Sequence, residues 1–281
     1  MTSLFCDEAL ARRIERAEVG LISALSRATH RRVGYGDGFL TPIAGGVASF
    51  ADDDSPFNKI AGLGFDGVPD SATLDEIEHA FAERGAPAQV ELSQLADPEI
   101  GLMLSLRGYR LESFENVLGR PVTGSGAAQP ASDIEVRRSG DDEFEAWLRV
   151  IVDASVHPDT EGVPWHDDFP PDVIDRAQRD SFSAGLMRFA ALRGGVLAGG
   201  AELRITDGIA QFAGAGTAPE HRRRGIQSAL LDARLAVAAE AGCDIAVIVT
   251  QPGSKSQQNA QRRGFDLLYT RAILVRPAGD P

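Results

Sequence analysis

A short basic loop near residue 220 carries the residues of this sequence that are best suited to chemistry. Arg222, Arg223 and Arg224 follow Pro219 and lead directly into Gly225. The first turn of a helix has backbone N–H groups without intrahelical partners and the positive end of the helix dipole. A glycine at this point allows a ligand to approach the backbone closely. If a helix begins here, the loop predicts a site for a pyrophosphate.

The segment after the loop has the pattern of a long amphipathic helix. Apolar residues share one face at helical spacing, namely Ile226, Ala229, Leu230, Ala233, Val237 and Ala241. Gly242 follows, where a helix C-terminus favours a residue of positive φ. Residues 209–217 before the loop are predicted to form a strand. A solvated run of arginines before an ordinary surface helix is the alternative, and the loop alone leaves it open.

The order of strand, basic loop and helix resembles the acyl-CoA loop of the GNAT acetyltransferases. Their motif is often written V-x-P-x-x-R-x-x-G-x-G/A. Thr217, Pro219, Arg222 and Gly225 fall on its first four defined positions, and Gln227 stands at the last. The resemblance covers roughly residues 134–277.

A second match to the same family lies downstream. The segment from Ser256 through Asn259 to Arg263-Gly264-Phe265 resembles the GNAT carboxy-terminal motif, in which a helix ends in Gly-Phe before the final strands. The resemblance implies acetyl-CoA as co-substrate, with its pyrophosphate on the loop and its pantetheine arm along the preceding strand. The implied binding residues are Thr217, Arg222, Arg224, Gly225, Ile226, Gln227, Ser228, Ala229, Ser256 and Asn259.

The reaction implied by the resemblance is direct attack of an amine on the thioester in a ternary complex. The amine must lose a proton, and the leaving thiolate can take one up. Many family members place a tyrosine acid where this chain has Ala260, and many supply a base from the strand before the loop, where this chain has only Gln211. Neither usual proton-handling residue is therefore present. We therefore name Glu202, on the neighbouring strand, and His157 as candidate catalytic residues. The long loop that follows His157 adds the candidates Asp159, Glu161 and His166. No metal site is predicted, because adjacent acids and histidines splay apart along the chain.

Composition limits the class of protein and its partners. The chain has 281 residues, 43% of them hydrophobic, and a net charge of −13. Such a protein should be globular and should be repelled by nucleic acid and by anionic membranes. The acidity weakly favours a cationic acceptor, such as a small-molecule or protein amine. Cys6 and Cys243 are far apart and favour a reduced, cytoplasmic setting. Oligomeric state stays open, with a homodimer as one option.

An internal repeat divides the chain. The pattern Arg-Gly-aromatic-x-Leu begins at residue 107 and again at residue 263, an offset of 156 residues, and both copies continue to an Arg-Pro pair. Residues 122–132 are rich in Gly, Ser, Ala and Pro, which predicts a linker. We therefore expect an α+β protein of two tandem GNAT-like domains, 1–121 and 133–281. Each is expected to be a mixed, mostly antiparallel sheet flanked by helices, with a pair of strands after each repeat motif.

The first copy lacks the basic loop. It has GFDGVPDSAT where the second has PEHRRRGIQ, so that Asp66 and Asp70 would repel a pyrophosphate. We interpret residues 1–121 as a degenerate copy and residues 133–281 as the catalytic domain. Two functions remain open for the chain. One is an acetyl-CoA-dependent N-acetyltransferase, and the other is a non-catalytic protein that binds or senses acyl-CoA.

Overall fold

The structure is a computed structural model that describes residues 4–34, 36–122, 133–159, 161–163 and 169–279. The predicted linker, apart from Val122, and the candidate base His166 lie outside these residues. The helices are α1 (Glu8–Val33), α2 (Ser71–Glu83), α3 (Glu99–Leu106), α4 (Phe144–Val156), α5 (Pro171–Ser183), α6 (Ile226–Glu240) and α7 (Lys255–Arg262). The strands are β1 (Phe39–Ile43), β2 (Gly46–Phe50), β3 (Lys59–Ala61), β4 (Ala88–Ser93), β5 (Arg110–Pro121), β6 (Ile134–Arg138), β7 (Met187–Arg193), β8 (Val196–Thr206), β9 (Ile209–Thr217), β10 (Ile245–Thr250) and β11 (Asp266–Arg276).

The chain divides into two compact units. The first unit contains Phe5–Asn116 together with the C-terminal stretch that begins at Tyr269, and the second contains Val117–Leu268 together with Leu4. This division differs from the predicted domains 1–121 and 133–281, because the end of the chain belongs to the first unit. Within that unit the side chain of Arg271 is buried against Glu15, which fixes the last strand there.

In the second unit the strands follow the order β10-β9-β8-β7-β6. β6, β7, β8 and β9 are antiparallel neighbours, whereas β9 and β10 run parallel. The core lies between this sheet and α6, which contacts β6 to β9. Leu203, Leu230 and Ala246 are among its fully buried side chains. Burial of such residues supplies the main stabilisation of the unit.

In the first unit the strands follow the order β1-β2-β3-β4-β11-β5. β3 runs parallel to β4, whereas β1 with β2, β2 with β3 and β4 with β11 are antiparallel. The core contains Phe50, Ile60, Leu74, Phe81 and Leu104. The spacing of Leu74, Ile77 and Phe81 is helical, and α2 carries this face into the core.

The internal repeat is visible in the backbone. β3, α2, β4, α3 and β5 follow one another in the first unit as β9, α6, β10, α7 and β11 do later. Gly108 and Gly264, the repeat glycines, have φ of 87° and 78° just after α3 and α7, where a side chain would be strained. The predicted α+β class, with mixed sheets flanked by helices, is confirmed. The predicted strand pairs after each motif are wrong, because β5 and β11 are each one long strand.

Candidate active site

The N-terminus of α6 is open. Gly225 precedes the helix with φ 87°, Arg223 takes the left-handed φ of 59°, and no side chain caps the helix. Within the described part of the chain, residues 223–228 donate no backbone hydrogen bond. Several N–H groups are therefore free at the positive end of the helix dipole, which is the arrangement that binds phosphate groups.

The strand that leads to this loop separates from its parallel neighbour. β9 pairs with β10 from Ile209 to Phe212, opposite Ile245 to Ile248, and the register then ends although β9 continues to Thr217. The pairing of β9 with β8 also shifts between Gly200 and Glu202. A bulge of this kind bends a strand and re-aims its groups. The stretch in which β9 and β10 are no longer paired, the cleft, begins beyond Phe212 and Ile248.

The arginines of the loop have three different surroundings. Arg222 donates to the carbonyl oxygens of Ala154, at 3.3 Å, and of His157, and so ties the loop to the end of α4. Arg223 pairs with Glu161 at 2.9 Å, and Lys255 pairs with the same carboxylate at 2.9 Å. Arg224 is exposed, and it has no partner among the described residues. It is the loop cation left available to a ligand.

The other predicted binding residues lie around the opening. Thr217 ends β9, Ile226 and Ala229 are buried in α6, and Gln227 and Ser228 are half-buried in its first turn. Ser256 and Asn259 are half-buried on one face of α7, and neither side chain forms a hydrogen bond within the described residues. The hydroxyl of Thr250, at the end of β10, is buried without a partner. A polar ligand in the cleft would satisfy such groups.

Glu202 lies behind the bulge. Its side chain is 1% exposed, and a Cβ placed on Gly214 would lie 2.7 Å from its Oε2 atom. Burial raises the pKa of Glu202 to about 8, against the opposing effects of a hydrogen bond with Ser181 and the charges of Arg188 and Arg234. Since Gly214 itself is exposed, only a glycine separates this carboxyl group from the surface of β9.

His157 lies at a different place, at the C-terminus of α4. Its ring pairs with Asp153 at 3.1 Å, and 63% of the side chain is exposed. Asp159 accepts a hydrogen bond from the backbone N–H of Glu161. A hydrogen bond from Lys255 of α7, and then the charge of Arg223 in the loop, lower the pKa of Glu161. Glu202 and His157 therefore have separate surroundings, with Glu202 next to the β9 bulge and the backbone of His157 next to the basic loop.

Comparison with known proteins adds the family. A sequence model of the acetyltransferase (GNAT) family matches residues 148–265, which include β8, β9, the basic loop and α6. The second unit carries a GNAT acetyltransferase domain. The family supports acyl transfer as the general chemistry of this domain. No curated protein matches the sequence.

Solved structures show the same fold beyond the matched segment. A GCN5-related N-acetyltransferase from Kribbella flavida is 20% identical with a TM-score of 0.64, and the alignment covers 91% of this chain and 96% of that chain. A tandem GNAT protein from the clavulanic acid biosynthesis pathway is 11% identical with a TM-score of 0.59, over 84% and 80%. A GCN5-related N-acetyltransferase from Sphaerobacter thermophilus is 15% identical with a TM-score of 0.58, over 74% and 67%. At these identities the likeness establishes the fold, including its tandem form.

The GNAT domain also contains functional candidates that the sequence analysis missed. Arg234 and Arg188 are buried next to Glu202. Glu161 is one of the predicted candidate bases, but its bridge between Arg223 and Lys255 was not predicted. Arg234 could have been noticed, because it continues the spacing of Ile226 and Leu230 along the apolar face of α6. No local sequence pattern indicates the bridge made by Glu161, since its partners Arg223 and Lys255 are both distant from it in the chain.

Neither a metal-binding cluster nor a membrane-spanning helix occurs among the described residues. No group of three or more histidine, cysteine, aspartate or glutamate side chains there is arranged to hold a metal ion. None of the helices in the described ranges combines the length and hydropathy needed to cross a bilayer.

Proposed function

We propose that the GNAT domain transfers the acetyl group of acetyl-CoA to an amine, carried by a small molecule or by a protein, through direct attack in a ternary complex. The observation that carries this proposal is the open N-terminus of α6, with its free N–H groups beside Arg224. This donor set fits a pyrophosphate, because it offers a dipole, several backbone donors and a full positive charge.

The residues around the cleft would hold the rest of the co-substrate. The backbone of β9 beyond Phe212 has lost its parallel partner, so its polar groups can bond to an extended, amide-containing arm. Ser256 and Asn259 on α7 can supply further hydrogen bonds. Acetyl-CoA would supply an activated thioester, and the amine nitrogen would bond to its carbonyl carbon as the carbon–sulfur bond breaks, with one proton passing overall from nitrogen to sulfur.

The chain must also accept the proton of the amine. Glu202 is the candidate, because its carboxyl group lies directly behind the exposed Gly214. With a pKa of about 8 the group is mostly neutral at pH 7, and its base form becomes populated as the pH approaches that value. Activity should therefore rise with pH through this range. Ala260 on α7 has no proton to donate, so the thiolate receives its proton from another group or from water.

The first experiment tests whether the chain catalyses transfer. Purified protein, acetyl-CoA and a panel of primary amines, polyamines and lysine-containing peptides are mixed, and the release of free thiol is measured. Amine-dependent release supports the proposal. Binding of CoA by calorimetry with no release across the panel would instead support the second function, a non-catalytic acyl-CoA-binding protein.

The second experiment tests the phosphate site itself. Arg224→Glu places a negative charge at the open helix end, and we expect CoA affinity to fall at least roughly tenfold, equivalent to about 1.4 kcal/mol. Arg149→Glu makes the same charge change at an exposed position on α4 and should leave affinity unchanged. Equal affinities for the two variants, each shown to be folded by circular dichroism, would exclude this site.

A further inference from the structure

A fully buried arginine lies beneath the bulge of β9. Arg234, on α6, has no exposed surface, and its guanidinium carbon lies 4.4 Å from the centre of the Phe212 ring. Its Nη1 donates to the carbonyl oxygens of Glu202, at 3.1 Å, and Ala213, at 3.3 Å, while Nε donates to Leu230 at 3.2 Å. One side chain thus joins α6 to both strands at the register shift.

The bulge explains why such a residue is present. A register shift disturbs the ladder, and a buried carbonyl group without a hydrogen-bond partner costs about 1–3 kcal/mol. Glu202 and Ala213 are paired residues at the shift between β8 and β9, and Gly214, the next residue, has a φ of 37°. The two bonds from Arg234 hold both strands in this irregular form.

The same contact determines where the Glu202 carboxyl group lies. Gly214 follows Ala213 directly and is the residue in front of Oε2 of Glu202. Arg234 bonds the backbone of both Glu202 and Ala213, so it fixes the separation of the carboxyl group from the exposed face of Gly214. The groups that face Glu202 are Ser181 from α5, Arg188 from β7 and Arg234 from α6.

We propose that Arg234 is a positioning residue for acyl transfer, which holds the β9 bulge and thereby keeps the carboxyl group of Glu202 behind Gly214 at the cleft. This inference rests on the proposed function, in which Glu202 accepts the proton of the amine. It assigns to Arg234 two separable effects, one of geometry through the two carbonyl bonds and one of charge on Glu202.

Three substitutions separate these effects. Arg234→Met removes both the charge and the carbonyl bonds. Arg234→Lys keeps one nitrogen donor on a shorter side chain and loses the Nε bond to Leu230 that orients Nη1. Burial lowers the pKa of Arg234 to about 9, so we expect a lysine at this position to be largely neutral and the charge to be lost as well. Arg188→Met removes a second charge near Glu202 without touching β9. Arg176→Met makes the same change from arginine to methionine at a surface ion pair with Asp172 on α5, and serves as the control.

The rate is measured against pH on both sides of pH 8, with the amine that gives the highest release of thiol. For Arg234→Met we expect the rate at the alkaline plateau to fall roughly tenfold to a hundredfold, because the proton acceptor is displaced. The midpoint should also move to higher pH, since a favourable charge is lost. Arg234→Lys should lower the plateau rate less than Arg234→Met does, because one donor remains, and its midpoint should also move to higher pH. Arg188→Met should move the midpoint with a smaller loss of plateau rate than Arg234→Met.

A direct measurement keeps the test independent of activity. In protein labelled with carbon-13 at the glutamate carboxyl groups, the Glu202 signal is assigned by its absence in Glu202→Gln, and its pKa is followed by NMR. A folded Arg234→Met protein with the wild-type plateau rate and the wild-type Glu202 pKa would overturn the proposal. If Arg234→Met does not fold, a wild-type plateau rate in Arg234→Lys overturns it. If the wild-type protein releases no thiol with any amine, the proposed function fails. The NMR measurement needs no activity, and an unchanged Glu202 pKa in Arg234→Met would by itself refute the control of Glu202 by Arg234.

Discussion

Arg271 and Glu15 form a buried ion pair in the first unit, with Nε of Arg271 2.9 Å from Oε1 of Glu15, although 256 positions separate them in the chain. Their side chains are 1% and 2% exposed. The hydroxyl of Tyr269 donates to the same glutamate oxygen at 2.7 Å. These contacts explain why the last strand, which follows the GNAT domain in sequence, belongs to the first unit.

Replacing Arg271 should therefore destabilise the first unit. Arg271→Met leaves the carboxylate of Glu15 buried without this cation, and removes the same charge from the carboxyl groups of Glu91 and Glu115, at 3.5 and 3.8 Å. We expect the free energy of unfolding to fall by about 3–5 kcal/mol. Urea unfolding gives the size of the effect, and hydrogen exchange followed by mass spectrometry locates it in residues 5–116.

The matched control for this prediction is Arg16→Met. Arg16 is 64% exposed and pairs with Asp66 at 3.8 Å, so its loss should cost about 1 kcal/mol or less. A loss of stability in Arg271→Met no larger than that of Arg16→Met would show that the buried pair does not hold the last strand.

The sequence predicted the elements with strong local signals. The spacing of Ile226, Leu230 and Val237 gave α6 nearly to the residue, and the basic loop before it was found from charge and glycine alone. Local patterns work here because a helix face and an open helix end depend on residues a few positions apart. The family resemblance on the loop was confirmed by the match to residues 148–265.

Other features depend on contacts that no local pattern contains. The placement of the last strand follows from Arg271 and Glu15, which are distant in sequence. The strand pairs predicted after each repeat motif proved to be the single long strands β5 and β11. Arg234 falls on the apolar face of α6, so the sequence signals its burial, whereas its two carbonyl partners arise only from the bulge.

A pH dependence of stability follows from Glu115. Burial, and then the charge of Glu91, raises the pKa of Glu115 from 4.5 to about 8, so the folded protein holds a proton that the unfolded chain releases between these values. Its contribution to stability is complete below pH 4.5 and is lost as the pH rises to about 8. We expect the free energy of unfolding to decrease across this window, and Glu115→Gln to flatten the decrease.

The control for this pH dependence lies on the same strand. Glu112 is exposed on β5, so Glu112→Gln makes the same change of charge without removing a buried proton. Urea unfolding at a series of pH values gives, for each variant, the slope of the free energy of unfolding against pH. A slope in Glu115→Gln equal to that of Glu112→Gln would show that Glu115 does not titrate as described.

A single CoA should bind to each chain, because the helix of the first unit that corresponds to α6 is already capped. The carboxylate of Asp70 accepts from the backbone N–H of Thr73 at 2.9 Å, and the loop amides of Gly64 and Asp66 donate to Ala44. Asp70→Ala should lower stability by about 1 kcal/mol through loss of the cap, without creating a second site. Calorimetric titration with CoA tests this, and a stoichiometry of two in the wild-type protein would contradict it.

Gly214 provides a test of the space in front of Glu202. An alanine there would place its Cβ 2.7 Å from Oε2 of Glu202 and would also strain a φ of 37°. Gly185→Ala is the matched control, because that glycine has a φ of 83° with nothing within 4 Å of the added atom, so only the strain of about 1–3 kcal/mol remains. We expect Gly214→Ala to lower the rate of thiol release much more than Gly185→Ala at equal folded fraction.

A double-mutant cycle tests the contact between the two residues directly. In the double variant with Glu202→Ala the contact is absent, so Gly214→Ala should add little further loss of rate. Strictly additive losses in this cycle, or equal rates for the two alanine variants, would show that Glu202 does not act through the space that Gly214 leaves open.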